Sequence, residues 1–71
     1  MIGILNRSKR NQEKVMIYYI DRKNHVTQRI IRVINIKDDV IVAYCFYRKK
    51  IRTFTITNIL SAGPIQKRIS A

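Results

Sequence analysis

Apolar residues along the chain fall in short runs rich in β-branched and aromatic side chains, and polar clusters separate the runs. That pattern predicts strands joined by tight turns. The first strand is expected over residues 14–20, where Val15, Met16, Ile17, Tyr18, Tyr19 and Ile20 run together. Asp21-Arg22-Lys23-Asn24 follows as a turn, with Asn24 suited to a left-handed conformation. A second strand is expected over residues 25–36. Its alternation slips, because Val26 and Ile30 share one face while Ile31 and Val33 take the other. A bulge or sharp bend near Ile30 would explain the slip. Lys37-Asp38-Asp39 then turns the chain into a third strand over residues 40–46, apolar on both faces and so central. After the turn Tyr47-Arg48-Lys49-Lys50 comes a fourth strand over residues 51–56, with Arg52, Phe54 and Ile56 on one face and Thr53 and Thr55 on the other.

The two ends are less regular. Residues 57–61 read as a turn or a single helical turn, and Gly63-Pro64 precedes a short last strand around Ile65. Within residues 1–13, Ile2, Ile4 and Leu5 supply one apolar face for a short N-terminal helix. Residues 66–71 read as a frayed tail. Four to five strands at a spacing of about eleven residues predict a mainly β fold, a small antiparallel barrel over residues 14–65. Its core is expected to include Ile17 or Tyr18, Ile30, Val42, Tyr44, Phe54 and Ile56.

Length and composition narrow the picture. A chain of 71 residues makes one domain with a small core. Cys45 is the single cysteine, so no intrachain disulfide can form; the residue reads as a small buried hydrophobe in a reducing, cytoplasmic setting. No apolar run is long enough to span a bilayer, and the cations Arg7, Lys9 and Arg10 follow the first apolar residues rather than precede them, unlike a signal peptide. A soluble protein with no membrane partner is expected. The charge changes the picture most: fifteen Lys and Arg against four acids give a net +11. Such an excess suits a polyanionic partner; the alternative is a merely solubilising surface, although mixed charges would serve solubility equally well.

Catalytic chemistry finds few candidates. His25 is the one histidine and lies at a turn edge, and the adjacent Asp38 and Asp39 point apart. A dyad of Cys45 and His25 would need the fold to bring them together. Metal ligands are too few, and Gly3 and Gly63 are isolated, so no glycine-rich phosphate loop exists. The expectation is a binding protein, not an enzyme, with no cofactor and no metal. What remains is cations interleaved with aromatics. Tyr44, Phe46 and Tyr47 lead into Arg48, Lys49, Lys50 and Arg52, and Arg29 and Arg32 lie on the second strand. Aromatic rings can stack on unpaired bases, and arginine can grip phosphate through two hydrogen bonds. The same residues read equally as a solvated turn beside core aromatics.

Four segments of residues 15–65 resemble the WYL domain of bacterial regulators: Ile17-Tyr18-Tyr19-Ile20-Asp21, Thr27-Gln28-Arg29-Ile30-Ile31, Val42-Ala43-Tyr44-Cys45, and Ile51-Arg52-Thr53-Phe54-Thr55-Ile56-Thr57-Asn58-Ile59. The last is similar to that family's Arg-Thr-Phe closing segment. The resemblance implies an Sm-like or SH3-like barrel that binds nucleic acid or a related effector in a basic groove. It implies that Arg29 and Arg52 stand at groove positions, with Tyr18 matching the tyrosine of the opening strand. The chain departs from the pattern at the name-giving triplet, where Val40-Ile41-Val42 stands, and at Thr55 and Asn58, where the family carries arginines. Arg48, Lys49 and Lys50 would restore part of that charge. The expected ligand is a single-stranded nucleic acid or another polyanionic effector. The alternative is a protein-interaction module that pairs with a second copy or with a partner regulator, since small sheets leave edges exposed.

Overall fold

The computed structural model describes residues 2–65. The tail expected over residues 66–71 lies outside the described residues. The chain runs through α1 (Ile2–Asn11), β1 (Lys14–Ile20), β2 (Val26–Lys37), β3 (Val40–Cys45), β4 (Lys50–Thr55), a 3₁₀ turn (Ile56–Asn58) and β5 (Ile59–Pro64). All five strands form one antiparallel sheet in the order β4-β3-β2-β1-β5. The mainly β architecture and the short helix are as expected. The sheet stays open, however: β4 and β5 are its two edges, so the barrel is not closed. No helix among the described residues is long and apolar enough to cross a membrane.

Three turns set the register, each with a left-handed residue at the position the strand exit requires. Asp21 Oδ1 accepts the backbone N–H groups of Lys23 (2.8 Å) and His25 (2.9 Å), and Asn24 closes this turn with φ 64°. Asp38, at φ 53°, carries the two-residue connection between Lys37 and Val40. Between β3 and β4, Lys49 takes φ 58° and its N–H donates to the Cys45 carbonyl at 2.7 Å.

One face of the sheet is the core. It gathers Val15 and Ile17 of β1, Ile31 and Val33 of β2, Ile41, Ala43 and Cys45 of β3, Phe54 of β4 and Ile59 of β5, with Leu5 of the helix buried in the same cluster. Ile17 and Phe54 lie where the pattern put them. Ile30, Val42 and Tyr44 do share a face, as expected, but it is the opposite one; Tyr18 lies with them, exposed. The reason is the position of the bulge. The register shift in β2 falls between Val33 and Asn35 and not near Ile30, so Ile31 and Val33 point inward before the slip and Ile36 after it. Because β3 is apolar on both sides, its own alternation could not reveal which side was buried. Ile56 packs partly buried against the core cluster. The last strand is not centred on Ile65 but spans Ile59–Pro64, taking in part of the expected turn, because the free edge of β1 supplies partners from Val15 to Tyr19.

The helix is fastened to this sheet through a buried hydroxyl. Ser8 Oγ accepts the Val33 N–H at 3.0 Å, at the bulge, and donates to the Glu13 carbonyl at 2.6 Å. The Glu13 N–H returns to the Ser8 carbonyl at 3.1 Å, and Gln12 takes φ 56°, an arrangement that ends the helix in one left-handed residue. Ser8→Ala should strand a buried donor and acceptor and cost about 1–3 kcal/mol, read by urea denaturation. An unchanged midpoint would show that the bridge contributes nothing.

Candidate arginine-lined binding site

Period-two geometry carries polar side chains onto the core face wherever the helix does not cover it. Arg29 sits opposite Ile17 on that face, Thr27 opposite Tyr19, and Arg52 opposite Ala43. Together with Arg48 from the β3–β4 turn they line a cavity of about 220 Å³, whose apolar wall is Cys45, Phe54 and Tyr19. Three guanidinium-bearing side chains from separate parts of the chain thus meet at one hollow.

The interior of the site is ordered. Phe54 and Tyr19 stand edge to face with ring centroids 5.0 Å apart. The Thr27 hydroxyl donates to the Tyr19 carbonyl at 3.4 Å and accepts Arg29 Nε–H at 3.3 Å. The guanidinium of Arg29 also lies 4.9 Å from the centroid of the Tyr47 ring. These contacts aim the head group while leaving its terminal nitrogens without a hydrogen-bond partner among the described residues. None of Arg29, Arg48 and Arg52 makes an ion pair among the described residues, and three guanidinium groups against one lining carboxylate leave the site with an excess of positive charge.

Asp21 is the one carboxylate in the lining. The His25 backbone N–H bonded to it holds its carboxyl below the usual value of 3.8 against the opposing effect of desolvation, with smaller help from the Lys23 N–H and the nearby His25 and Lys23 charges. The group is therefore charged at neutral pH. The turn it braces has that support above the ordinary carboxylate range and loses it as pH falls through the depressed value. Asp21→Asn keeps the acceptor oxygen for the turn and removes the negative charge. It should tighten binding of an anion in the cavity by about two- to fivefold, the scale of an exposed charge pair. Unchanged affinity in a phosphate or oligonucleotide titration would place the anion elsewhere.

Of the residues singled out by sequence, the structure brings Arg29, Arg48 and Arg52 together. Lys50 shares the Arg52 face but is exposed and outside the cavity lining; Lys49 is the left-handed turn residue and points to solvent. Tyr18 lies on the opposite side of the sheet, and its neighbour Tyr19 takes the place in the cavity. Thr27 and Tyr19 were not foreseen there. The spacings Thr27-x-Arg29 and Arg52-x-Phe54 held the signal, since residues two apart share a face of a strand.

No protein-family profile and no curated protein matches the chain. Among solved structures it superposes on proteasome accessory factor B/C (PafBC) of Arthrobacter aurescens, with a TM-score of 0.81 over 97% of this chain. The likeness is one of fold. Sequence identity is 19%, and the match takes up 12% of the PafBC chain, so this chain corresponds to a small part of that protein.

Proposed function

We propose that this chain is a non-enzymatic, WYL-like ligand-binding domain of a regulator or its accessory subunit. Its ligand is a single-stranded nucleic acid or another polyanionic effector, held in the arginine-lined cavity. The observation that carries this reading is the convergence of Arg29, Arg48 and Arg52 on one hollow lined by a single carboxylate, with none of the three in an ion pair among the described residues. Charged hydrogen bonds from arginine to phosphate oxygens are the strong kind, and an arginine fork suits two oxygens at once. The net charge of +11 adds long-range attraction for such a ligand. The fold shared with a segment of PafBC agrees with a domain that works as part of a larger regulatory protein.

The test is a titration against single-stranded DNA, single-stranded RNA and duplex at two salt concentrations. Three arginines on three phosphates contribute about −2 to the slope of log affinity against log salt for a single strand, and phosphates met by the surrounding lysines steepen it further. A second reading, an interaction or oligomerisation module whose charge serves solubility, draws on the edges of the sheet. Ile51 on β4 and Leu60 on β5 are both more than half exposed. That reading predicts binding to another protein or a second copy with almost no salt dependence, and no nucleic-acid binding in the titration.

A further inference from the structure

The reverse of the sheet is a surface that the arginine cavity does not use. An antiparallel sheet with one face in the core ordinarily turns polar residues outward. Here the outward positions include Met16, Tyr18, Ile30 and Tyr44, and Phe46 continues the row beyond the end of β3. Tyr44 and Phe46 stand edge to face at 4.9 Å between centroids. Two hollows of about 510 and 290 Å³ lie over this row and have Ile30 and Phe46 in common.

Cations frame the same row. Lys14 and Arg32 are direct partners across β1 and β2, and like charges opposed on one face of a sheet repel. Neither has an ion pair among the described residues. The Lys14 ammonium lies 4.6 Å from the centroid of the Phe46 ring, and Arg32 is the cross-strand partner of Tyr44. The one acid bordering the larger hollow, Glu13, is taken by Arg7 at 3.3 Å. The result is a pair of mutually repelling cations set beside half-buried aromatic rings, with the neighbouring carboxylate already engaged.

We propose that this outer face is a second binding surface, a stacking platform for the unpaired bases of a single-stranded nucleic acid. Bases lie on Tyr44 and Phe46, and a phosphate between them relieves the repulsion of Lys14 and Arg32. Every base offers a π-face to such a platform, whereas a duplex buries those faces in its own stack. A second copy of this chain is a poorer occupant, because it would set Lys14, Arg32 and a net +11 against an identical set. The platform lies on the opposite side of the sheet from the arginine cavity. It therefore stands whether that cavity takes a nucleic acid or a small polyphosphate.

The experiment titrates the full chain with labelled oligothymidylate about 12 nucleotides long, and with an abasic strand of the same length. Tyr44→Leu with Phe46→Leu keeps apolar bulk and removes the stacking rings. This double variant should bind oligothymidylate on the order of tenfold more weakly, or worse, while its affinity for the abasic strand stays put. Arg52→Ala serves as the contrast, since any loss at the cavity should fall on both strands alike. Equal oligothymidylate binding by the double variant and the parent overturns the platform, as does a parent that binds the abasic strand just as tightly. Sedimentation that shows the double variant breaking a dimer with no loss of oligothymidylate binding assigns the face to a second copy instead. If the double variant fails to fold, photocrosslinking of the parent to a 5-iododeoxyuridine strand decides. Adducts at Tyr44 or Phe46 support the proposal, and adducts confined to Tyr19 overturn it.

Discussion

Phe54→Ala should cost about 3–5 kcal/mol and leave much of the population unfolded, since a domain of this size holds only a few kcal/mol in reserve. Phe54 is 4% exposed, pairs across the sheet with Ile41 and meets the Tyr19 ring edge-on. Removing it opens a void between β4 and the strand that carries Tyr19. Phe54→Leu keeps most of the volume and should cost less than about 1.5 kcal/mol. Circular dichroism through a urea titration separates the two. A stable alanine variant would mean that β4 is not seated in the register described.

The second large effect belongs to the cavity. Arg52→Ala and Arg29→Ala should each weaken binding of a single strand by about 1–3 kcal/mol, as loss of a charged hydrogen bond does. Arg52→Lys keeps the charge and loses the fork, so it should recover only part of the affinity. Replacing Lys49 and Lys50 together should behave differently. Neither lines the cavity, so the main change is a salt slope shallower by about 1–2, with little dependence on which strand is offered. Thermal unfolding of each variant is measured alongside, to keep lost binding apart from lost fold. Arginine variants that fold and bind like the parent would favour the interaction module.

Much of this was legible from residue order alone. The strands between residues 14 and 55, the helix before them and the left-handed Asn24 follow from runs of β-branched residues and from turn chemistry. Arg29, Arg48 and Arg52 could be named through the resemblance and the charge pattern. What could not be read was the side of the sheet each residue occupies. Ile30 and Ile31 are adjacent and equally apolar, and β3 is apolar at every outward and inward position but one or two, so local pattern fits either burial. The deciding facts are long-range: Leu5 is buried against one face, and the bulge at Val33 is held by the Ser8 hydroxyl from the helix. The same ambiguity put Tyr18 with the arginines in place of Tyr19.

The strand order has a bearing on how the molecule comes together and comes apart. β1 to β4 pair with their sequence neighbours across short turns, whereas β5 must travel back to β1, setting Pro64 against Val15. Closing that span carries the greatest loss of chain freedom of any pairing in the sheet. The meander is thus placed to assemble first and β5 to zip on last. Native-state hydrogen exchange would then register the β1–β5 seam as the earliest to open, releasing one border of the core while the arginine cavity, built on β2 and β4, stays intact.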